Sequence, residues 1–359
     1  MTAPVLRGAV AGPPVAHASG PPRRATAKRA VLWGVALFAL TQLFLGVTAE
    51  LYPRLRDPLY GDKLVKLQRK LAAPDRRATV VMLGSSRTGL AFHGKRVEAA
   101  LPGVAAFNYG VPASGPVTHL IYLDRLLAAG IKPDLLLVEV LPSMLADRAD
   151  APLERNWLYA DRLTHGELDT VIQYGFDPAA VRRRWAESVL LPAYALRFQL
   201  MSRISASWLP WQVRFDWSRG ADECGWGEMI QQQVTAADRT LGFARAKLEY
   251  EPVLANWHPG GPAVAALREL VARCKDRGVP VALVLMPEGT DFRALYPPAA
   301  VERLTAFMTE LSKETGVPVV NAREWLPDAG FHDGHHMLTV GANEFTDRMT
   351  REVIAPRLK

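Results

Sequence analysis

The fold is decided by the stretch Thr79-Val80-Val81-Met82-Leu83-Gly84-Ser85-Ser86. A run of β-branched and apolar residues that ends at a glycine predicts a short buried strand with a tight turn behind it. A helical pattern follows as far as about Leu101, so the chain passes from strand to helix at the two serines.

The same alternation of strand and helix recurs on both sides of a long interruption. Strand candidates are residues 104–108, 134–140, 279–286 and 317–320, and helix candidates are residues 117–129, 263–277, 299–315 and 339–358. Continuous apolar strands between amphipathic helices indicate a sheet that is covered on both faces. We therefore predict an α/β fold, with three αβα layers around a mostly parallel, flavodoxin-like sheet whose ligands bind beyond the carboxyl ends of the strands.

Residues 30–49 read AVLWGVALFALTQLFLGVTA and contain no charged side chain. As a helix this segment would be about 30 Å long, because each residue adds about 1.5 Å, and this length matches the hydrocarbon core of a bilayer. We predict a transmembrane anchor here. A signal peptide cleaved after Val47-Thr48-Ala49 and an ordinary buried helix are the alternatives.

Positive charge is concentrated in front of this segment. The charged residues of positions 1–29 are Arg7, Arg23, Arg24, Lys28 and Arg29, and no acid accompanies them. This asymmetry predicts a single-pass protein of the inner membrane, with a cytoplasmic N-terminus and a periplasmic or extracellular domain after residue 50. Removing these five charges from the net charge of +7 leaves +2, which argues against a nucleic-acid partner.

Composition divides the chain into regions of different character. We predict a disordered Pro-, Ala- and Gly-rich arm at 1–29, the anchor at 30–49, a helical neck at 51–77, an α/β domain made of 78–143 and 259–359, and an aromatic-rich helical insertion at 144–258. We expect the insertion to cap the site. Cys224 and Cys274 are the only cysteines, and we expect them to stay unpaired.

A serine follows the first strand where the chain enters a helix. Gly84 permits a tight turn, and the helix behind it leaves backbone amides free at its start. A serine hydroxyl in this turn is exposed, and the serine amide can face a developing oxyanion. An ordinary helix cap would also use Ser85 or Ser86, so the serines indicate a catalytic site only together with a base and an acid elsewhere in the chain.

Asp333-Gly334-His335-His336, near the C-terminus, supplies candidate partners. Because Asp333 and His336 are three residues apart in a loop, the carboxylate can bind one imidazole nitrogen and leave the other for a serine. A metal site formed with His332 and His335 is the alternative. Since no further ligands stand at a compatible spacing, we predict no metal and no cofactor.

Together with Phe107-Asn108-Tyr109-Gly110, these pieces resemble the SGNH/GDSL hydrolase superfamily. The resemblance implies Ser86 as the nucleophile, His336 as the base and Asp333 as the residue that orients it. It also implies that the amides of Ser86 and Gly110 stabilise the oxyanion. It covers roughly residues 78–143 and 262–357, and therefore leaves out the anchor and the insertion.

The chain departs from the family pattern in two places. Ser85 stands where the first block has an aspartate. The third block contributes an asparagine to the oxyanion hole, whereas Glu139-Val140-Leu141-Pro142-Ser143 contains none. Losing one oxyanion donor typically lowers the rate about 10²–10³-fold. Asn108, Arg87 and Ser143 are candidate substitutes, and Arg87 could also bind a substrate carboxylate.

Leu285-Met286-Pro287-Glu288-Gly289 and Phe345-Thr346 are similar to a bacterial membrane-anchored subgroup of the superfamily. That similarity implies an extracytoplasmic serine esterase or O-acyltransferase that acts on acyl esters of a cell-surface or exported polysaccharide. Its partners would be an acyl donor, a glycan acceptor and a membrane-bound O-acyltransferase. The alternative, favoured by the missing asparagine, is a catalytically degenerate binding or assembly protein of a polysaccharide-modifying complex.

Overall fold

A computed structural model describes residues 23–72, 78–148, 152–210 and 213–358. Its five parallel strands form one sheet in the order β2-β1-β3-β4-β5. The strands are β1 (Ala78–Gly84), β2 (Val104–Gly110), β3 (Leu135–Glu139), β4 (Val281–Leu285) and β5 (Val319–Asn321). This is the strand order of flavodoxin-like sheets, and the predicted α/β fold is confirmed.

Helices cover both faces of the sheet and fill the interruption between β3 and β4. In the described residues they are α1 (Arg23–Leu51), α2 (Pro53–Arg56), α3 (Pro58–Leu71), α4 (Ser86–Ala91), α5 (Gly94–Ala100), α6 (Pro116–Ala128), α7 (Leu168–Gln173), α8 (Pro178–Leu190), α9 (Pro192–Ala195), α10 (Arg197–Ser205), α11 (Trp217–Gly220), α12 (Ala236–Leu254), α13 (Gly261–Asp276), α14 (Thr290–Arg293), α15 (Pro298–Thr315), α16 (Thr339–Met349) and α17 (Ala355–Arg357). The helix predicted after Ser86 is split into α4 and α5, because Phe92 and His93 leave the helical conformation.

Two separate hydrophobic cores lie on the two faces of the sheet. Val81 and Leu83 of β1 join the core formed with α3, α6, α13 and α15, and Val80 and Met82 join the core formed with α4, α5 and α16. Each of these side chains is fully buried. Burying an aliphatic side chain of this size contributes about 1.5–3 kcal/mol, so β1 helps to hold both outer layers on the sheet.

The anchor prediction corresponds to α1, which begins ahead of the apolar run, at Arg23. Arg, Lys and Ala are good helix formers, so the helix extends into the basic residues that we predicted as part of a disordered arm. Its segment Thr26–Leu51 is long and apolar enough to cross a membrane. Residues 1–22 of the predicted arm and 73–77 of the predicted neck lie outside the described residues.

The chain enters the α/β domain at the carboxyl edge of the sheet. In the first turn of α3, the carbonyl oxygen of Tyr60 accepts a hydrogen bond from the hydroxyl of Tyr109, near the end of β2 (2.9 Å). Lys63 then donates to the carbonyl oxygen of Asn108 (2.9 Å). Further along α3, Lys70 donates to Glu98 (2.9 Å), beside the start of β2. Helix α3 therefore runs antiparallel to β2, and its start lies at the edge where β1 leads into Ser85.

Cys224 and Cys274 are both free and buried. Cys274 is an inward-facing residue of α13. Burial raises the pKa of both thiols to about 12. Both cysteines are therefore buried residues without a disulfide partner, and the expectation that they stay unpaired is confirmed.

Candidate active site

Ser86, His336 and Asp333 form a continuous hydrogen-bonded relay. The Oγ atom of Ser86, the first residue of α4, lies 2.9 Å from Nε2 of His336. Nδ1 of His336 lies 2.8 Å from Oδ2 of Asp333. With the ring proton on Nδ1 and donated to Asp333, Nε2 is free to accept the proton of Ser86. Ser86 and His336 are both partly exposed, so the hydroxyl is open to a substrate.

The loop that carries His336 also holds the carboxylate of Asp333. Oδ1 of Asp333 accepts the backbone amides of His335 (3.2 Å) and His336 (2.8 Å). Burial acts to raise the pKa of Asp333, but the adjacent His336 and His335 and the hydrogen bonds of His336 outweigh it and hold the pKa well below its ordinary value. Asp333 is therefore ionised at neutral pH and provides a fixed negative charge against the imidazole.

Glu139, which the sequence pattern did not single out as a site residue, holds the turn that carries Ser86. It is the last residue of β3 and is 3% exposed. Its Oε2 accepts hydrogen bonds from the amide of Ser85 (2.6 Å) and the hydroxyl of Thr88 (2.7 Å), and its Oε1 accepts from the hydroxyl of Ser85 (3.0 Å). These bonds fix the first turn of α4 and so the position of Ser86. The sequence did offer one signal, a charged residue at the end of an apolar strand. A charge that is buried there needs hydrogen-bonding partners.

Arg87 lies beneath Ser86 and does not line the opening above its hydroxyl. Its side chain is buried, and its guanidinium donates to the carbonyl oxygens of Met286 (3.2 Å) and Pro287 (3.0 Å). It also lies 3.3 Å from Oε1 of Glu288, while its Nε is 3.8 Å from Oε1 of Glu139. The expected contact of Arg87 with an oxyanion or a substrate is therefore not available, because this guanidinium is already surrounded by acceptors.

Glu288 completes a buried charge network under the site. It follows β4, and its Oε2 accepts from Arg323 (2.7 Å) while its Oε1 accepts from the hydroxyl of Tyr296 (3.0 Å). Arg87 joins Glu288 to Glu139, so positive and negative side chains alternate through the network. A buried charge is tolerated when it is paired and hydrogen-bonded in this way. Glu288 thus faces the interior below Ser86.

Asn108 and Gly110 are bonded to each other inside the domain. The Nδ2 of Asn108 donates to the carbonyl oxygens of Thr88 (2.7 Å) and Phe92 (2.8 Å), and its Oδ1 accepts the amide of Gly110 (2.9 Å). The amide expected to be the second oxyanion donor therefore already has an acceptor. A side chain at Gly110 would collide with the backbone of Gly89, so close packing explains the glycine.

The amide of Ser86 differs from that of Gly110. Ser85 is the residue that caps α4, since its hydroxyl accepts the amide of Arg87 (3.2 Å). Among the described residues, no acceptor binds the amide of Ser86 itself. The serine that caps α4 and the serine that lies against His336 are thus different residues, and the Ser86 amide is free to donate to an oxyanion.

Helix α12 of the insertion packs on the loop that carries Asp333 and His336, which we call the acid–base loop (residues 332–336). Arg239 donates to the carbonyl oxygens of Asp328 (2.7 Å) and Phe331 (2.9 Å), just before that loop. At the other end of the helix, the ring of Tyr250 meets the ring of His335 edge-on, with centroids 5.0 Å apart. Helix α12 therefore contacts the chain just before the acid–base loop and His335 within it.

Gly242 and Glu249, on one face of the same helix, lie near the relay. Gly242 lies so near Asp333 that a Cβ atom at Gly242 would be 3.0 Å from the Cβ of Asp333. Glu249, two turns further on, is exposed. Partial desolvation raises the pKa of Glu249, His336 lowers it, and the charge of Asp333 raises it. Its carboxyl group therefore lies within electrostatic range of the relay.

Asp333, His335 and His336 also have the arrangement of a metal-ligand group. Their potential ligand atoms lie within 4.8 Å of one another, and His332 is not part of the group. Both ring nitrogens of His336 are engaged in the relay, and His335 is stacked on Phe292 with ring centroids 4.8 Å apart. Burial, followed by the neighbouring His336, holds the pKa of His335 well below its ordinary value. His335 is therefore a neutral, buried neighbour of the relay.

Comparisons with known proteins place the chain beside a family and an enzyme structure. Residues 38–186 match the model of a family described as a protein of unknown function (DUF1574). No curated protein matches the chain. Among solved structures, the chain is similar to a catalytic mutant of an acetylxylan esterase from Geobacillus stearothermophilus, at 13% sequence identity and a TM-score of 0.35, over 77% of this chain and 94% of the esterase. A proposal about function therefore depends on the geometry of the site.

Proposed function

We propose that this chain is a membrane-anchored serine esterase or O-acyltransferase of the SGNH type, acting outside the cytoplasm on acyl esters of a cell-surface or exported polysaccharide. The observation that carries the proposal is the relay from Ser86 through His336 to Asp333, with links of 2.9 and 2.8 Å. Ser86 and His336 are 250 residues apart in the sequence, so only the fold brings them together.

The relay supports formation of a covalent acyl-serine. Oγ of Ser86 attacks the carbonyl carbon of the acyl donor while Nε2 of His336 takes the hydroxyl proton. The amide of Ser86 donates a hydrogen bond to the oxyanion of the tetrahedral intermediate. The bond between the acyl carbon and the leaving oxygen then breaks, His336 returns the proton to that oxygen, and the acyl group stays on Ser86.

The second half of the reaction releases the acyl group. An acceptor hydroxyl gives its proton to His336 and attacks the acyl carbon, and the Oγ of Ser86 leaves and recovers a proton from His336. A glycan hydroxyl as acceptor gives transfer, and water gives hydrolysis. Helix α12 packs on the acid–base loop and so helps to decide how much water reaches it.

The membrane part of the proposal is supported by α1 and by the basic residues in front of it. The segment Thr26–Leu51 has the length and composition of a membrane-spanning helix. The positive charges before it favour a cytoplasmic N-terminus. A multi-span O-acyltransferase that delivers the acyl group across the membrane is the partner we expect.

Labelling with a fluorophosphonate probe tests the nucleophile. The full chain, in membranes, should be labelled at Ser86, and Ser86→Ala should abolish the labelling. Ser207→Ala, which removes an exposed serine of the insertion, is the matched control and should label like the wild type. Asp333→Asn keeps the hydroxyl and should label more slowly. A folded wild-type chain that resists the probe, or labelling that survives Ser86→Ala, would contradict the proposal.

A catalytically degenerate binding protein is the alternative that the oxyanion region favours. The third-block asparagine is absent, and the amide of Gly110 is already bound to Asn108. This alternative expects no probe labelling and no acyl transfer, together with polysaccharide binding that Ser86→Ala leaves unchanged. Acyl transfer and probe labelling, measured beside equilibrium binding to the polysaccharide in the wild type and in Ser86→Ala, separate the two functions.

A metal-dependent hydrolase is favoured by the Asp333, His335 and His336 group. In that case esterase activity would be lost with a chelator and restored by a divalent cation. A serine enzyme keeps its activity in the chelator. The same chelator treatment applied to the probe-labelling assay shows whether a metal is needed to activate Ser86.

A further inference from the structure

The insertion has an apolar surface immediately beside α1. Its side chains lie where α8 meets α9, and they are largely exposed: Val189 43%, Leu190 72%, Leu191 44% and Tyr194 67%. Water-facing surfaces of soluble proteins rarely carry contiguous large apolar side chains without a partner. These exposed residues are therefore expected to meet an apolar phase.

A hydrogen bond fixes the position of this surface along α1. The backbone amide of Ala193 donates to Oε1 of Gln42 (3.1 Å). Pro192 packs near Gly46, one turn further along α1. Since each helical residue adds about 1.5 Å, Gln42 lies about 10 Å inside the end of the apolar run at Ala49.

Gln42 is the single amide side chain in residues 30–49. Hydrocarbon offers a polar side chain no hydrogen-bond partner, so a glutamine at this depth needs one from protein. The insertion supplies it through the amide of Ala193. For that contact to exist, the junction of α8 and α9 must lie in the same layer as this part of α1.

The border of the surface has the composition of a membrane interface. The guanidinium of Arg197 lies over the ring of Tyr194, 4.1 Å from its centroid, and donates to the carbonyl oxygen of Tyr194 (2.6 Å). Tyrosine and basic side chains are enriched where the hydrocarbon meets the headgroups. The change from leucines to Tyr194 and Arg197 therefore follows the change from acyl chains to lipid headgroups.

We propose that residues 189–194 insert into the outer leaflet beside α1 and contact lipid acyl chains there. The inference rests on the proposed membrane anchor. Helix α3 starts at the carboxyl edge of the sheet, the edge at which Ser86 also lies. Two attachments near that edge, α1 and the α8–α9 junction, hold the relay close to the bilayer surface. The site is thereby presented to acyl donors that emerge from the membrane.

A fluorescent probe on Leu190 tests the insertion. Leu190→Cys in the full chain is labelled with an NBD fluorophore and reconstituted in phosphatidylethanolamine–phosphatidylglycerol vesicles. Cys224 and Cys274 are buried and should not react. We expect a shift of the emission to shorter wavelength, quenching by nitroxides on the lipid acyl chains, and loss of quenching by aqueous iodide.

Two reference positions keep the outcomes distinct. Phe38→Cys, on the exposed surface of α1, reports on the anchor, and Ala129→Cys, in the exposed turn before β3, reports on the opposite edge of the sheet. Lipid quenching at Phe38 with iodide quenching at Leu190 overturns the inference and leaves the anchor in place. Iodide quenching at both positions removes the anchor as well. If residues 189–194 bind a protein partner and not lipid, iodide also quenches the probe on Leu190, because these vesicles contain this chain alone.

Discussion

Two carboxylates, Asp333 and Glu139, hold the Ser86 region in different ways. Asp333 belongs to a partly exposed relay through which, in the proposed function, protons move between Ser86 and His336. Glu139 belongs to a sealed network with Arg87 and Glu288, whose charges need not change during the reaction. We call the relay of Asp333 and His336 the reactive half and the network around Glu139 the rigid half. The two halves lie on opposite sides of the turn that carries Ser86. Changes in the first should affect activity, and changes in the second should affect stability.

The largest effect on activity is expected for Asp333→Asn. An amide at this position no longer fixes the ring proton of His336 on Nδ1, so Nε2 is a poorer base for Ser86. We expect kcat for ester cleavage to fall about 10⁴-fold, as in other serine triads. The thermal unfolding midpoint should change little. A loss of less than tenfold would remove Asp333 from the reactive half.

The largest effect on stability is expected for Glu139→Gln. The change removes a buried negative charge beside Arg87 and weakens the acceptors of Ser85 and Thr88. Breaking a buried ion pair typically lowers the free energy of unfolding by about 3–5 kcal/mol. Urea unfolding measures it, with the exposed Glu302→Gln on α15 as control. Equal unfolding of the two variants would show that the network does not stabilise the fold.

The sequence indicated that the residues of the relay could come together, but it did not indicate the buried network. Ser86, Asp333 and His336 lie in short motifs whose chemistry limits their roles, and apolar runs located every strand. The role of Glu139 depends on β3 lying next to β1, which no local pattern encodes. The sequence around Arg87 is the same whether its side chain faces a substrate or a buried carboxylate. Only the structure shows which of the two it contacts.

Contacts between distant segments were also beyond local patterns. The packing of α12 on the acid–base loop joins Arg239 to Asp328 and Phe331, and the bond between Gln42 and Ala193 joins the anchor to the insertion. A glutamine inside an apolar run did carry a signal, because a polar side chain in hydrocarbon needs a partner. The identity of that partner could not be derived from the sequence.

The buried ring of His119 allows a test of how stability depends on pH. The ring is buried, its Nε2 lies 3.1 Å from Oγ of Ser114, and burial lowers its pKa from 6.5 to about 3. Between these values the unfolded chain binds the proton and the folded chain does not. Stability therefore falls as the pH drops through this window, by about 1.4 kcal/mol per pH unit from this group.

His119→Gln should make the loss of stability on acidification shallower by that amount. Urea unfolding at pH 6 and pH 4, both inside the window, measures the slope, with the exposed His258→Gln as control. His335 is present in both variants, so its own acid dependence cancels in the comparison. Identical slopes for His119→Gln and the wild type would show that His119 titrates normally in the folded chain.

The smallest effect is expected for Gly242→Ala. This substitution tests whether α12 positions Asp333 in the reactive half or only covers it. The added methyl would lie 3.0 Å from the Cβ of Asp333, so the acid–base loop must shift by a few tenths of an ångström. Because a misplacement of about 1 Å can cost about 10²-fold in rate, we expect a decrease in kcat of about tenfold or less. Alanine is also more favourable than glycine inside a helix by about 1 kcal/mol, so the free energy of unfolding should stay the same or rise.

Gly166→Ala, whose methyl would meet nothing within 4 Å, is the control. A lower kcat without lower stability would assign α12 to the reactive half, whereas an unchanged kcat would leave it as a cover that does not position the acid.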